Sequence, residues 1–333
     1  MKAASVGRRL FLALLALGAI PFLGAEPPAT RKVIEGRTFV FRKGNAYEIV
    51  QGREKFFKAL YDPAFVHRRY RNRGGRVFAL SDDGREFPVL RTFAEGFEGA
   101  ASLRDLIGPH RGWSGFTLQS PRARTVPDYV ALRNRILSGA SDFLDNRVEP
   151  STVRPHAGRA SLYLYSAAPT RSMICSKASL ETGLAYFVRG DDFWYSAWYF
   201  IVEGRPLGLV DLECTYMDEG PGPRVLLSET GEPRVELKWA DKPTYRAPRG
   251  IAVPRGQWFH LRVHYRLMDD DQGVVQLWLN DDKIIDVRGQ TLPLPDTVLD
   301  RVEVGLTASP PGAPSALFLD DVAFGDKPPA PPR

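Results

Sequence analysis

Cysteine is scarce in this chain: 333 residues hold two, Cys175 and Cys214, and neither stands at a metal-ligand spacing from any of the five histidines. A cysteine–histidine metal motif is thereby excluded. Both cysteines fall in a region expected to be exported, where disulfides are permitted. The residues leave two states open, a Cys175–Cys214 bridge or two buried thiols. Long apolar runs are equally few. The one in evidence, Leu10–Leu23, is short for a membrane span and contains Pro21. Lys2, Arg8 and Arg9 precede it and the small residues Gly24-Ala25 follow, which is the pattern of a signal peptide over residues 1–25. The absence of Cys near that junction argues against a lipoprotein. Arg8-Arg9-Leu10-Phe11-Leu12 also resembles a twin-arginine export signal, so the route, Sec or twin-arginine, stays open. The expectation is a secreted or periplasmic protein without an integral membrane anchor. No internal repeat is present.

What remains has the composition of a globular protein, 44% hydrophobic and 25% charged, so a substantial core needs no cofactor to hold it. The net charge of +6 conceals an uneven distribution. Residues 31–76 carry 13 Lys and Arg against 4 Asp and Glu, whereas the chain from residue 77 on is net acidic. A small basic module over residues 26–92 is therefore expected ahead of an acidic main domain. Its phrase His67-Arg68-Arg69-Tyr70-Arg71-Asn72-Arg73 is either a polyanion-binding surface or a solvated loop. Export argues against a nucleic-acid role. Within the module, Thr38–Arg42, Val77–Leu80 and Phe87–Leu90 have strand character, and Arg53–Leu60 reads as a helical piece.

From Phe93 onward the pattern is that of one large β domain ending near residue 326, followed by a Pro-rich tail over residues 327–333. Asp128–Leu137, preceded by Pro127 and ended before Gly139, is the strongest helix. From Arg159 on, short alternating segments separated by turn residues predict an all-β, two-sheet antiparallel sandwich. The clearest alternation lies in Gly256–Gly289. There Trp258, His260, Arg262, His264 and Arg266 share one face of a strand, and Phe259, Leu261, Val263, Tyr265 and Leu267 share the other. Gln276 and Trp278 stand on the polar side of the following segment, opposite Val275, Leu277 and Leu279. An apolar back and a front of His, Arg, Gln and Trp define a sheet with one open face.

Several phrases carry a family resemblance. Gly158-Arg159-Ala160-Ser161-Leu162-Tyr163, Phe193-Trp194-Tyr195-Ser196-Ala197-Trp198-Tyr199, Gly256-Gln257-Trp258-Phe259-His260, Gly273 through Asn280 and Leu319-Asp320-Asp321-Val322 are similar to strands of concanavalin A-like jelly rolls. Their succession most resembles polysaccharide lyases of the heparin-lyase and alginate-lyase type, over about residues 93–325. The three strand motifs common in alginate lyases have only partial counterparts here: Ser176–Leu180, Val210–Glu213 and Arg301–Leu306. Leu209–Glu213 also resembles the carboxylate strand of laminarinase-type glycosidases, but their nucleophile would fall at Leu209. A retaining hydrolase needs two carboxyl groups about 5–5.5 Å apart, and leucine cannot supply one.

The resemblance implies a polar sheet face on which Asp211, Glu213, Glu236 and Lys238 join His260, Arg262, His264, Gln276 and Trp278. It also implies an acidic polysaccharide as partner. For β-elimination on a uronic acid, a cation or amide neutralises the substrate carboxylate, a base takes the C5 proton and an acid protonates the leaving oxygen. Arg262, Lys238, Gln276 and Lys177 are candidates for the first role, and His260 or His264 for the second. Tyr195, Tyr199 or Tyr245 are candidates for the third, with Trp194 and Trp198 as further sugar contacts. The alternatives are core-filling tryptophans, half-exposed histidines paired with Glu213 or Glu236, and a cross-strand ion-pair ladder. Jelly rolls of this type also imply a structural Ca²⁺ on oxygen ligands, here Glu95 or Glu98 and Asp320 or Asp321. The expectation is a monomeric exported lyase, a noncatalytic carbohydrate-binding envelope protein, or a structural envelope protein.

Overall fold

The computed structural model describes residues 30–34, 37–42, 45–59, 70–80, 84–108, 111–215, 220–238 and 244–329. The leader-like segment, His67–Arg69, the cation- and aromatic-rich residues 239–243 and the last four residues lie outside them.

The first described residues form a four-stranded antiparallel meander, β1 (Thr30–Ile34), β2 (Arg37–Arg42), β3 (Asn45–Val50) and β4 (Arg53–Ala59). The helical reading of residues 53–60 is corrected here. Glu48 faces Lys55 and Val50 faces Arg53 across β3 and β4, so cross-strand pairing overrides the helix propensity of Glu, Lys and Ala. A three-stranded sheet follows, made of β5 (Tyr70–Arg73), β6 (Arg76–Leu80) and β7 (Glu86–Pro88).

The main body is two antiparallel sheets. The strands are β8 (Thr92–Glu95), β9 (Gly115–Thr117), β10 (Arg147–Ser151), β11 (Ser161–Ser166), β12 (Ser176–Thr182), β13 (Asp192–Glu203), β14 (Gly208–Glu213) and β15 (Pro223–Leu227). They continue as β16 (Pro233–Leu237), β17 (Thr244–Arg246), β18 (Trp258–Arg266), β19 (Val274–Leu279), β20 (Asp282–Arg288), β21 (Arg301–Ser309) and β22 (Ser315–Gly325). The eight-stranded sheet runs β10-β11-β22-β13-β18-β19-β20, with β8 also on β22. The seven-stranded sheet runs β17-β16-β15-β14-β21-β12-β9. The predicted all-β sandwich is the observed architecture.

Period-two alternation decides what lies between the layers. From the eight-stranded sheet come Leu162, Leu164, Phe193, Tyr195, Tyr199, Phe259, Leu261, Val263, Tyr265, Val275 and Leu277. Leu180, Leu212, Val225, Val235, Val302, Val304 and Leu306 come from the other, all almost fully buried in one continuous core. A register shift between Gly208 and Val210 turns Leu209 and Val210 both inward and sends Asp211 and Glu213 outward. The β19–β20 hairpin closes through Asn280, whose φ of 56° suits the turn, and whose side-chain oxygen accepts from the His260 amide.

Two helices among the described residues lie between β8 and β10, α1 (Leu103–Leu106) and α2 (Val126–Ser138). α2 is the helix expected at residues 128–137. Thr125 and Asp128 cap its first turn reciprocally, and Gly139 ends it at φ 80°. Leu132 and Ile136 bury its apolar side, and the helix packs near β9 at one end of the seven-stranded sheet.

Candidate active site

The three phrases that partly match the alginate-lyase motifs are neighbours. They occupy β14, β21 and β12, consecutive in the seven-stranded sheet, with Asp211 opposite Glu303, Glu213 opposite Arg301 and Glu181 opposite Glu303. On the outer face this register concentrates charge. Asp211, Glu213 and Glu303 are 1–3% exposed, and one oxygen from each lies within 4.8 Å of the others.

Three cations cover these carboxylates. Glu213 is paired with both Lys238 and Arg301. Glu303 lies 3.7 Å from Lys177 and 3.4 Å from Arg301, and accepts from Ser179 Oγ at 2.6 Å. Arg301 also reaches Glu181 at 3.4 Å, and Glu181 is held from α2 by Arg133 at 3.1 Å. The outermost pair is Arg224–Glu236 at 3.0 Å. The side chains of Lys177, Lys238 and Arg301 keep 20–29% of their surface exposed, so cationic groups form the outer layer and carboxylates the inner one.

The electrostatics separate two carboxylates on one strand. Burial and the negative charges of Glu213 and Glu303 push Asp211 up to about 6. Burial also acts to raise Glu213, but Arg301 and Lys238 overcome it and hold the group low, at about 2. Asp211 accepts one hydrogen bond, from Thr307 Oγ1 at 3.2 Å. Lys177 is held protonated chiefly by Glu303. Tyr129 on α2 is half-buried and sits within the field of Lys177, Glu181, Glu303 and Arg301; burial raises its phenol, which therefore carries its proton at neutral pH. Nothing in the order of residues signals Tyr129, and Arg301 enters only as the first residue of a phrase with a partial motif match, because helix and strand residues far apart in the chain meet only in the fold.

The single polar face expected from the sequence is corrected. Asp211, Glu213, Glu236, Lys238 and Lys177 stand on the seven-stranded sheet, whereas His260, Arg262, His264, Gln276, Trp278, Trp194 and Trp198 stand on the outer face of the other. The core lies between the two sets. His260 is 4% exposed, its Nε2 lies 2.6 Å from Ser196 Oγ, and burial together with Arg262 lowers it to about 4. Both ring nitrogens of His264 are engaged, with Gln276 and Asp192 at 2.8 Å.

Tyr195 and Tyr199 are not on an open face either. Trp194, Ser196 and Trp198 point outward, so Tyr195, Ala197 and Tyr199 point inward. The two phenols meet at 2.6 Å in the core, and Tyr199 donates to the Leu209 carbonyl at 3.1 Å. Tyr245 lies opposite core residue Val235 on β16 and packs against the core at the sheet edge. Cys175 and Cys214 are separate thiols, Cys214 buried and Cys175 half-buried, so the bridge is not formed and only one of the two thiols is buried as expected.

The oxygen-ligand expectation for Ca²⁺ meets carboxylates already engaged. Glu98 accepts from the amides of Arg159 and Ala160, and Asp320 from those of His156 and Asp321. Asp321, at φ 49°, turns its carboxylate to His156 Nδ1 at 3.0 Å. Gly158 has φ 64°, and a Cβ there would sit 2.1 Å from Glu98 Oε1. These residues tie a loop to the sheet.

No known family model matches the sequence, and no curated protein matches it. Solved structures do. An endo-β-1,4-glucuronan lyase from the fungus Trichoderma reesei is similar with a TM-score of 0.46 at 11% identity, over 65% of this chain and 96% of that one. The cellulose-induced protein Cip1 gives 0.44 at 16% identity, over 57% and 89%. The alginate lyase Aly36B gives 0.40 at 9% identity, over 71% and 97%. The chain itself is a two-sheet antiparallel sandwich. At these scores the likeness carries no argument, and a function has to rest on the chain's own residues.

Proposed function

We propose that this protein cleaves a uronic-acid-containing polysaccharide by β-elimination on the outer face of the seven-stranded sheet. One observation carries the reading: Asp211, a carboxylate whose proton affinity lies near neutrality, stands beside Glu213 and Glu303, which Lys177, Lys238 and Arg301 pair on the same sheet face. Lys177, Lys238 and Arg301, which stay partly exposed, would receive the substrate carboxylate and so acidify the C5 proton. Asp211 is the base for that proton. Tyr129, protonated at neutral pH, is the donor to the leaving glycosidic oxygen.

The leader-like residues 1–25 support action outside the cytoplasm. No helix among the described residues is long and apolar enough to cross a membrane.

A second reading, a noncatalytic binder of acidic glycans, is favoured by the ion pairs that already engage these cations. The two readings separate on incubation with glucuronan and alginate. Ultraviolet absorbance from new unsaturated uronate ends supports the lyase. Retention on the immobilised polymer without such ends supports the binder.

A further inference from the structure

The outer face of the eight-stranded sheet bears a second constellation that the proposed reaction does not use. Strands β13, β18 and β19 are adjacent, and their register sets Trp194 beside His264, Trp198 beside His260 and Arg262 between Ser196 and Trp278. The rings stack across the strands. Trp194 lies 4.1 Å from His264 and 5.8 Å from Trp278. Trp198 is sandwiched between His156 at 3.8 Å and His260 at 4.9 Å. Side chains that stack on their cross-strand neighbours stand on edge above the sheet, so their faces cover one another.

Arg262 is the exception to this mutual satisfaction. Its guanidinium carbon sits 4.8 Å from the centre of the Trp278 ring, with Lys283 Nζ 5.7 Å from the same ring. Nearby Arg266 and Lys283 are neutralised by Asp192 and Asp286, at 2.8 and 2.6 Å. Arg262 has no carboxylate partner among the described residues, and its enclosed Nε–H donates to nothing there. Two of its neighbours on this face, the indole of Trp278 and the neutral imidazole of His260, bring no negative charge. A guanidinium fixed on an indole with its fork unspent is preorganised for a planar oxyanion.

We infer that this face is a second glycan-binding surface, centred on Arg262, for the carboxylate or sulfate groups of an acidic polysaccharide. The ligand class rests on the proposed function. The site itself lies across the core from the cleavage face and would hold the polymer without cutting it.

The test uses intrinsic fluorescence of the full chain, because Trp194, Trp198, Trp258 and Trp278, four of its six tryptophans, stand on this face. Glucuronan oligosaccharides, heparin oligosaccharides and a neutral β-1,4-glucan are titrated into wild type, Arg262→Met and Arg262→Lys. Methionine keeps an apolar stem on Trp278, and lysine keeps the charge without the fork. The expected result is a fluorescence change with glucuronan, heparin or both, none with the neutral glucan, affinity at least about tenfold weaker in Arg262→Met, and an intermediate value in Arg262→Lys. Equal affinity of Arg262→Met and wild type, a response to the neutral glucan as strong as to the acidic ones, or no response to either acidic ligand would overturn the inference. Unsaturated ends are measured in parallel. Their absence alongside an Arg262-dependent fluorescence change would remove the lyase reading and leave this site standing.

Discussion

Asp211 and Glu213 stand two residues apart on β14, point to the same side, and are driven in opposite directions. Asp211 is pushed up to about 6 while Glu213 is held near 2. Burial is common to both. The difference is the company each keeps, since Lys238 and Arg301 both bond to Glu213. One carboxylate is thereby made the permanent counter-ion of two cations, and the other is left to exchange a proton near neutral pH.

Glu213→Gln takes a charged partner from both Lys238 and Arg301. Breaking a fully buried pair typically costs about 3–5 kcal/mol, and the part-exposed ends of Lys238 and Arg301 put this case lower, at about 2–3 kcal/mol. The sign with pH follows from a depressed carboxylate: its stabilisation is present above its unfolded value near 4.5 and is lost as pH falls toward about 2. Denaturant unfolding should therefore show a gap between wild type and variant at neutral pH that closes on acidification. A constant gap would mean that the charge of Glu213 is not what stabilises the fold.

His260 gives a second pH signature. In the unfolded chain its imidazole takes a proton near 6.5, but in the fold only near 4. Between those values the unfolded state binds more protons, so this group makes stability fall as pH falls from 6.5 to 4. Asp211 and Asp320, both raised by burial, act in the opposite sense over much of that window. Comparing His260→Gln with wild type cancels them. The wild-type advantage should shrink through the window, as measured by thermal or urea unfolding at several pH values.

Tyr195→Phe should leave polysaccharide turnover unchanged and cost about 1 kcal/mol of stability, the worth of one buried hydrogen bond. A loss of turnover with intact fold would return Tyr195 to the reaction.

The tyrosine case shows how much was legible in the sequence. Alternation in Gly256–Gly289 identified the inward and outward residues of β18 and β19, and capping signals marked α2. The same alternation, applied to β13, separates Trp194 and Trp198 from Tyr195 and Tyr199. Placing Tyr195 and Tyr199 in the reaction beside Trp194 and Trp198 overlooks it. Which sheet each strand joins was not legible, because period two assigns a face within a sheet and says nothing about the partner sheet. That gap merges two outer faces into one and leaves the partners of Arg301 unread, since they depend on β21 lying between β12 and β14. Tyr129 and Arg133 were hidden for a related reason: their helix meets the sheet through contacts distant in the chain.

The most direct measurement is the initial rate of unsaturated-end formation from glucuronan, by wild type and by Asp211→Asn, from about pH 5 to 8. A base with the proton affinity of Asp211 predicts a wild-type rate that rises through about pH 6 to a plateau. In Asp211→Asn the rate should be lower by about 100-fold or more, with that rise abolished. Wild-type rates in Asp211→Asn, or no unsaturated ends from any uronic-acid polymer at any pH, would contradict it.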